Sequence, residues 1–234
     1  MFNILTAFAT KRYGDSDEGL NFLDNLKKRV RSFRAAGLGD QNFEDQLYSP
    51  NRDNFFSRIW ELNLAECLQR SGLEISSKPV GPDFLTRING KNVWFEAISP
   101  KPEGLPEDYC YPFDNGNKIQ CYDVPYKEIL LRITSAMSDK AKKFDLYIKN
   151  GIIDKDDINI IAIDVTQLGL HADFGISRIP TIIEATYPVG PLALTIDANS
   201  MKTLDSSLSY RPYIPKKTQG KIVKIPTETF LSGT

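Results

Sequence analysis

Histidine occurs once in the 234 residues, at His171. That excludes His-centred catalytic pairs and multi-histidine metal centres, leaving only single-His arrangements. Cysteine is scarce as well. Cys67, Cys110 and Cys121 lack metal-ligand spacing, and an odd count argues against a disulfide framework; a reducing cytoplasm is the simplest setting. No apolar run approaches the roughly 18 residues of a membrane span, and Met1-Phe2-Asn3-Ile4-Leu5 is too short for a secretory signal. A soluble protein with no membrane partner is expected. Nor is there an excess of either charge: 29 Lys and Arg face 30 Asp and Glu, so contact with a polyanion has to be local. No Gly-rich phosphate loop and no Gly-x-Ser-x-Gly turn is present.

What the chain does contain is a hairpin with an acid on each arm. Gly81-Pro82-Asp83-Phe84-Leu85-Thr86-Arg87-Ile88 leads into Asn89-Gly90, and Lys91-Asn92-Val93-Trp94-Phe95-Glu96-Ala97-Ile98 leads away. Asn-Gly is the strongest two-residue hairpin signal because both loop residues take φ > 0. The resulting register sets Ile88 against Lys91, Arg87 against Asn92, Thr86 against Val93, Leu85 against Trp94, Phe84 against Phe95 and Asp83 against Glu96. Like charges so opposed destabilise a sheet unless something compensates. A divalent cation would, since Mg²⁺ is held by one or two carboxylates plus phosphate oxygens.

Around the hairpin, periodicity predicts a helix from Glu18 to Ala36, with Lys27, Lys28, Arg29, Arg31 and Arg34 as a solvated basic face or a phosphate contact. A largely buried helix is predicted from Phe55 to Arg70, closed by Ser71-Gly72, and a strand from Leu73 to Ser77. Pro100 to Tyr122 is too long for a passive connection, which suggests a lid in which Tyr109, Tyr111 and Tyr122, with Tyr126, meet a substrate. A helix from Pro125 to Asn150 and an apolar strand from Ile158 to Val165 follow; continuous apolar character predicts a sheet covered on both faces. Further strands are expected at Thr181–Thr186, Leu192–Ile196 and Lys221–Ile225. The chain is expected to be a single α/β domain, with residues 1–50 a helical N-terminal extension, 55–165 the core and 166–234 C-terminal strands and loops. Its ending, Phe230-Leu231-Ser232-Gly233-Thr234, is compatible with a piece of a longer protein.

Glu61 lies mid-helix with Leu64, Ala65 and Leu68 on its own face, a desolvated place for a carboxylate. It calls for a cation, either a metal or a structural partner such as Arg58 or Arg87. Glu96, flanked by Phe95 and Ala97 and sharing a face with Trp94 and Ile98, needs a partner too. Asp83 after Pro82 also suits ordinary turn chemistry. Trp94 and Leu85 are expected to pack the core.

Glu61 on a helix, then Pro82-Asp83, then Glu96, followed by a helix and an apolar strand, resembles the PD-(D/E)XK nuclease superfamily over Phe55 to Val165. The resemblance implies a restriction-endonuclease-like core, a mixed central sheet flanked by helices in the order αβββαβ. It further implies that Asp83 and Glu96 hold Mg²⁺ or Mn²⁺, with Glu61 supporting the ion or its water. The family's lysine falls two residues after the motif glutamate, where this chain has Ile98. In that superfamily the lysine migrates to other elements, and Lys140 on the next helix is the candidate, with Arg132 helping to neutralise phosphate. The implied function is phosphodiester hydrolysis in nucleic acid, with DNA the expected substrate, in restriction, repair or defence; a homodimer is compatible with this. The alternative is a nuclease-fold module that binds nucleic acid or protein without cleaving. A third reading is a scaffold whose acids are salt-bridged.

Overall fold

The computed structural model of the chain describes residues 17–110, 123–169, 179–218 and 221–227. These form a mixed α/β protein of helices and small sheets, without a barrel, divided into two compact units. One comprises Met1–Ser99 and Lys142–Asp164, the other Pro100–Ala141 and Val165–Thr234. No described helix is long and apolar enough to cross a membrane. Among the described cysteines, Cys67 and Cys110 are free; Cys121, His171, Tyr111 and Tyr122 lie outside the described residues, as does most of the expected lid.

The first unit begins with helices α1 (Asp17–Ala35), α2 (Phe43–Leu47) and α3 (Arg52–Arg70). Helix α3 starts where Asn51 caps it, its side-chain oxygen accepting the N–H groups of Asp53 and Asn54. Gly39, at φ +78°, lets the chain turn between α1 and α2; a Cβ there would meet Phe33 Cε1 at 2.6 Å.

Strands β1 (Phe84–Ile88) and β2 (Lys91–Ile98) form the hairpin, and all five expected pairs from Phe84↔Phe95 to Ile88↔Lys91 are present. Asn89 takes φ 50° and Gly90 φ 82°, as that loop requires. Strand β3 (Ile158–Ile163) lies parallel to β2, giving the order β1-β2-β3. A parallel neighbour needs a long crossover, and helix α5 (Tyr126–Lys149) lies in it; the preceding α4 (Glu107–Cys110) is short.

Alternation along β2 sends its side chains to two cores. Val93, Phe95 and Ala97 join Phe84 and the inner faces of α1, α2 and α3, where Leu26, Phe43 and Leu62 are wholly or almost wholly buried. Full burial of each such side chain contributes about 1.5–3 kcal/mol. Trp94 points the other way and packs with Phe144 and Ile153, with Leu85, Ile148 and Ile161 around them. Both indoles are tied down: Trp94 Nε1 donates to Asp157 Oδ2 at 2.8 Å, and Trp60 Nε1 donates to the carbonyl of Ala162 at 2.9 Å.

Several expectations are corrected. Leu73–Ser77 is not a strand; Ser76 alone bridges to Leu85, because Pro79 and Pro82 in the following segment offer no N–H to continue a ladder. Strand β3 is not covered on both faces. As the sheet's edge it leaves Ile158 and Ile160 44 % and 37 % exposed. Thr181–Thr186 is a helix, α6, rather than a strand. Thr181, Glu184 and Ala185 are buried while Ile183 is exposed, a helical period that overrides the β-branched composition.

In the second unit α6 is followed by two hairpins, β4 (Val189–Ile196) with β5 (Thr203–Tyr210), and β6 (Tyr213–Thr218) with β7 (Lys221–Pro226). Strands β4 and β7 contain the expected segments; β5 and β6 are additional. Arg211 pins the base of the first hairpin: its Nη2 donates to Glu184 Oε2 at 3.0 Å and to the Val189 carbonyl at 3.3 Å.

Candidate active site on the hairpin

Asp83 stands one residue before β1, just beyond the last pair Phe84↔Phe95. Its Oδ2 accepts the backbone N–H of Ala97 at 2.7 Å, so the carboxylate lies against β2 one residue from Glu96. Pro82 is buried behind it. The turn chemistry of a Pro-Asp pair and the placement of an acid beside Glu96 are thus one arrangement.

Glu96 is 1 % exposed and shares its strand face with Trp94. A carboxylate so buried requires a cation or donors. Lys143 of α5 supplies one: its Nζ is 2.7 Å from Glu96 Oε1, while the Lys143 side chain remains 45 % exposed. Half-burial pulls the Lys143 ammonium down, but the hydrogen bond and charge of Glu96 outweigh it and hold the pKa above the usual lysine range. Tyr147, one turn on, presents its ring 5.5 Å from the same ammonium.

Glu61 is buried on α3 and clamped by Arg58, whose Nη1 lies 2.8 Å from both carboxylate oxygens. The remaining Arg58 donors reach Asp40 Oδ2 at 2.8 Å and Gln46 Oε1 at 2.7 and 2.9 Å, and the guanidinium sits 5.6 Å from the Phe43 ring centre. Burial and then the neighbouring Asp83 charge push the Glu61 carboxyl up to about 8, against the opposing pull of Arg58. The Asp83 influence places Glu61 and Asp83 in one electrostatic neighbourhood. Burial works against the Arg58 charge, and the attraction of Glu61 more than restores it.

Ile98, at the position of the family lysine, pairs with Ile163 and is half-buried. Lys140 lies three residues before Lys143 on α5 and is half-buried. Arg132 belongs to the second unit, where its Nε donates to the Lys101 carbonyl at 2.8 Å and its Nη1 lies 3.7 Å from Glu103. Asp164 follows β3, and Ser99 Oγ lies 3.4 Å from its Oδ2, adding an acid at the end where β2 and β3 run out.

Lys143 is the residue sequence reasoning passed over. A signal existed: Trp94 and Glu96 share a strand face, Phe144 lies on the inner stripe of α5, and its neighbour Lys143 therefore has the reach to a residue beside Trp94.

The donor chemistry of Asp83 and Glu96 suits a hard cation carried by two carboxylates and substrate oxygens. A closed centre of three acids does not form: among the described residues no group of three or more His, Cys, Asp or Glu is gathered closely enough to hold an ion. Glu61, saturated by Arg58, stands behind the pair rather than completing it. No protein-family model, no curated protein and no solved structure matches the chain.

Proposed function

We propose that the hairpin site hydrolyses phosphodiester bonds of nucleic acid, DNA being the expected substrate, as a Mg²⁺- or Mn²⁺-dependent nuclease. The observation that carries this reading is the Lys143 ammonium, half-exposed and 2.7 Å from buried Glu96 beside Asp83. It offers, from a helix, the cation that Ile98 withholds from the strand. A restriction-endonuclease-like core is part of the proposal. Helix α3, the β1–β2 hairpin, α5 and β3 follow its order, with the Ser76 bridge where a further strand is expected.

Asp83 and Glu96 are the residues that would hold the cation, which when bound supplies charge neutralisation on the phosphate and a lowered pKa for water. Lys143, protonated at neutral pH because Glu96 raises its pKa, acts as a donor that orients water or a phosphate oxygen and not as a base. Glu61 and Arg58 keep a second carboxyl fixed behind Asp83 and are positioning residues.

The test is incubation of the purified chain with single- and double-stranded DNA and RNA, in Mg²⁺, in Mn²⁺ and in chelator. Cleavage that needs the metal, disappears in Asp83→Asn and falls in Lys143→Ala but not in Lys140→Ala is expected. A second reading is favoured by the ion pairs themselves: Glu61 with Arg58 and Glu96 with Lys143 give both acids a structural reason to exist. On that reading the chain is a nuclease-fold module for nucleic acid or protein. Retention of nucleic acid without cleavage under every metal condition would establish it.

A further inference from the structure

The β4–β5 hairpin is amphipathic in a way the rest of the second unit does not use. Register pairs Leu192 with Leu208 and Leu194 with Ser206. Alternation then gathers Leu192, Leu194, Ile196, Leu208 and Tyr210 on one face, with Leu204 at the irregularity beside Ile196. The opposite face carries Ala193, Thr195, Asp205 and Ser207. Such sorting is the mark of a sheet with one face packed and one wet, yet the six apolar side chains are 48 to 75 % exposed.

We propose that this face is where a second copy of the chain docks, hairpin against hairpin about a two-fold axis. The uncovered apolar surface amounts to roughly 700 Å², close to the ~800 Å² that each partner of a stable interface buries. The face carries no charge, and the chain's formal net charge is −1, so neither local nor overall repulsion opposes two copies meeting. Geometry also favours an interface that forms without ordering cost. At the base, Arg211 N donates to the Pro188 carbonyl at 2.8 Å and its guanidinium holds Glu184. At the tip, Asp197 Oδ1 accepts the N–H groups of Asn199 and Ser200 at 2.8 and 2.7 Å. A two-stranded hairpin is marginal alone and gains stability when its apolar face is covered. The proposal stands apart from the catalytic reading and does not depend on it.

The experiment is sedimentation velocity of the full chain at increasing concentration, with far-UV circular dichroism on every variant. The wild type is expected to dimerise. Leu194→Lys and Leu194→Glu, each folded, are expected to raise the dimer Kd by about 100-fold or more, the change counting twice under two-fold symmetry. An equimolar mixture of the two should recover the dimer. Thr195→Lys, on the polar face, should leave it intact. A wild type that stays monomeric, or a dimer indifferent to both Leu194 substitutions, overturns the proposal. So does a monomer that binds phosphatidylcholine–phosphatidylserine vesicles through this face, which would make lipid the occupant.

Discussion

Lys143 reaches Glu96 across the gap between helix and sheet, Nζ to Oε1 at 2.7 Å, so that the most buried acid of the hairpin is balanced by a half-exposed amine. Removing the amine strands a desolvated carboxylate. Lys143→Ala is expected to lower stability by about 1–3 kcal/mol, the cost of an unmet buried polar group. Adding Glu96→Gln should return part of that loss, because the neutral amide is cheaper to bury. Urea unfolding of the two single variants and the double variant measures the coupling; strict additivity would show that the pair is not energetically linked.

The Arg58 clamp is deeper. Its guanidinium meets Glu61, Asp40 and Gln46, so Arg58→Ala leaves several acceptors unmet at once. Breaking a buried pair by deleting one partner typically costs about 3–5 kcal/mol, and a loss of that order in urea unfolding is expected. Arg29→Ala is the contrast. Its Glu66 and Asn63 contacts are at the part-exposed surface, and a change within about 1 kcal/mol is expected.

Glu61 makes stability depend on pH in a direction that can be worked out. Its folded-state pKa, about 8, lies above its ordinary 4.5, so the folded state binds the proton more tightly than the unfolded chain does. The contribution is complete below 4.5 and is lost as pH rises through 8. Relative to Glu61→Gln, which cannot titrate, the wild type should weaken with rising pH by at most about 1.4 kcal/mol per pH unit. Parallel urea titrations of the two proteins across that window check it; a difference that does not change with pH contradicts it.

Gly39 and Gly72 separate crowding from backbone strain. Both have positive φ, +78° and +80°, but a Cβ at Gly39 meets Phe33 Cε1 at 2.6 Å whereas one at Gly72 meets nothing within 4 Å. Gly72→Ala should cost about 1–2 kcal/mol for the left-handed backbone alone. Gly39→Ala should cost about 1–3 kcal/mol more, because the Phe33 ring must shift within its contacts with Phe43 and Phe84. Thermal melts of the two variants give the comparison.

What the sequence disclosed was whatever local chemistry decides. Asn89-Gly90 determined the hairpin and its register, and Gly37 and Ser71-Gly72 marked where helices stop. Arg58 was already named as a possible partner of Glu61, since three residues on a helix bring two side chains together. Errors arose where distant packing decides. Ile182 and Ile183 invite a strand, but Thr181, Glu184 and Ala185 find their burial at helical spacing. Ile158 and Ile160 look like interior residues, and only the strand order reveals an edge. Lys143 was passed over for Lys140 because one turn of helix separates them, and sheet contacts made by Phe144 and Tyr147, invisible in one dimension, set which amine meets Glu96.

The indoles of Trp60 and Trp94 are bonded to Ala162 and Asp157, and all four residues belong to the first unit. Since the chain has two tryptophans, its intrinsic fluorescence is a private optical channel for that unit, blind to melting of the hairpins in the other. Comparing emission with far-UV ellipticity along one denaturant series therefore reads the cooperativity between the units without a label: superimposed curves mean concerted loss, and separated midpoints mean sequential loss.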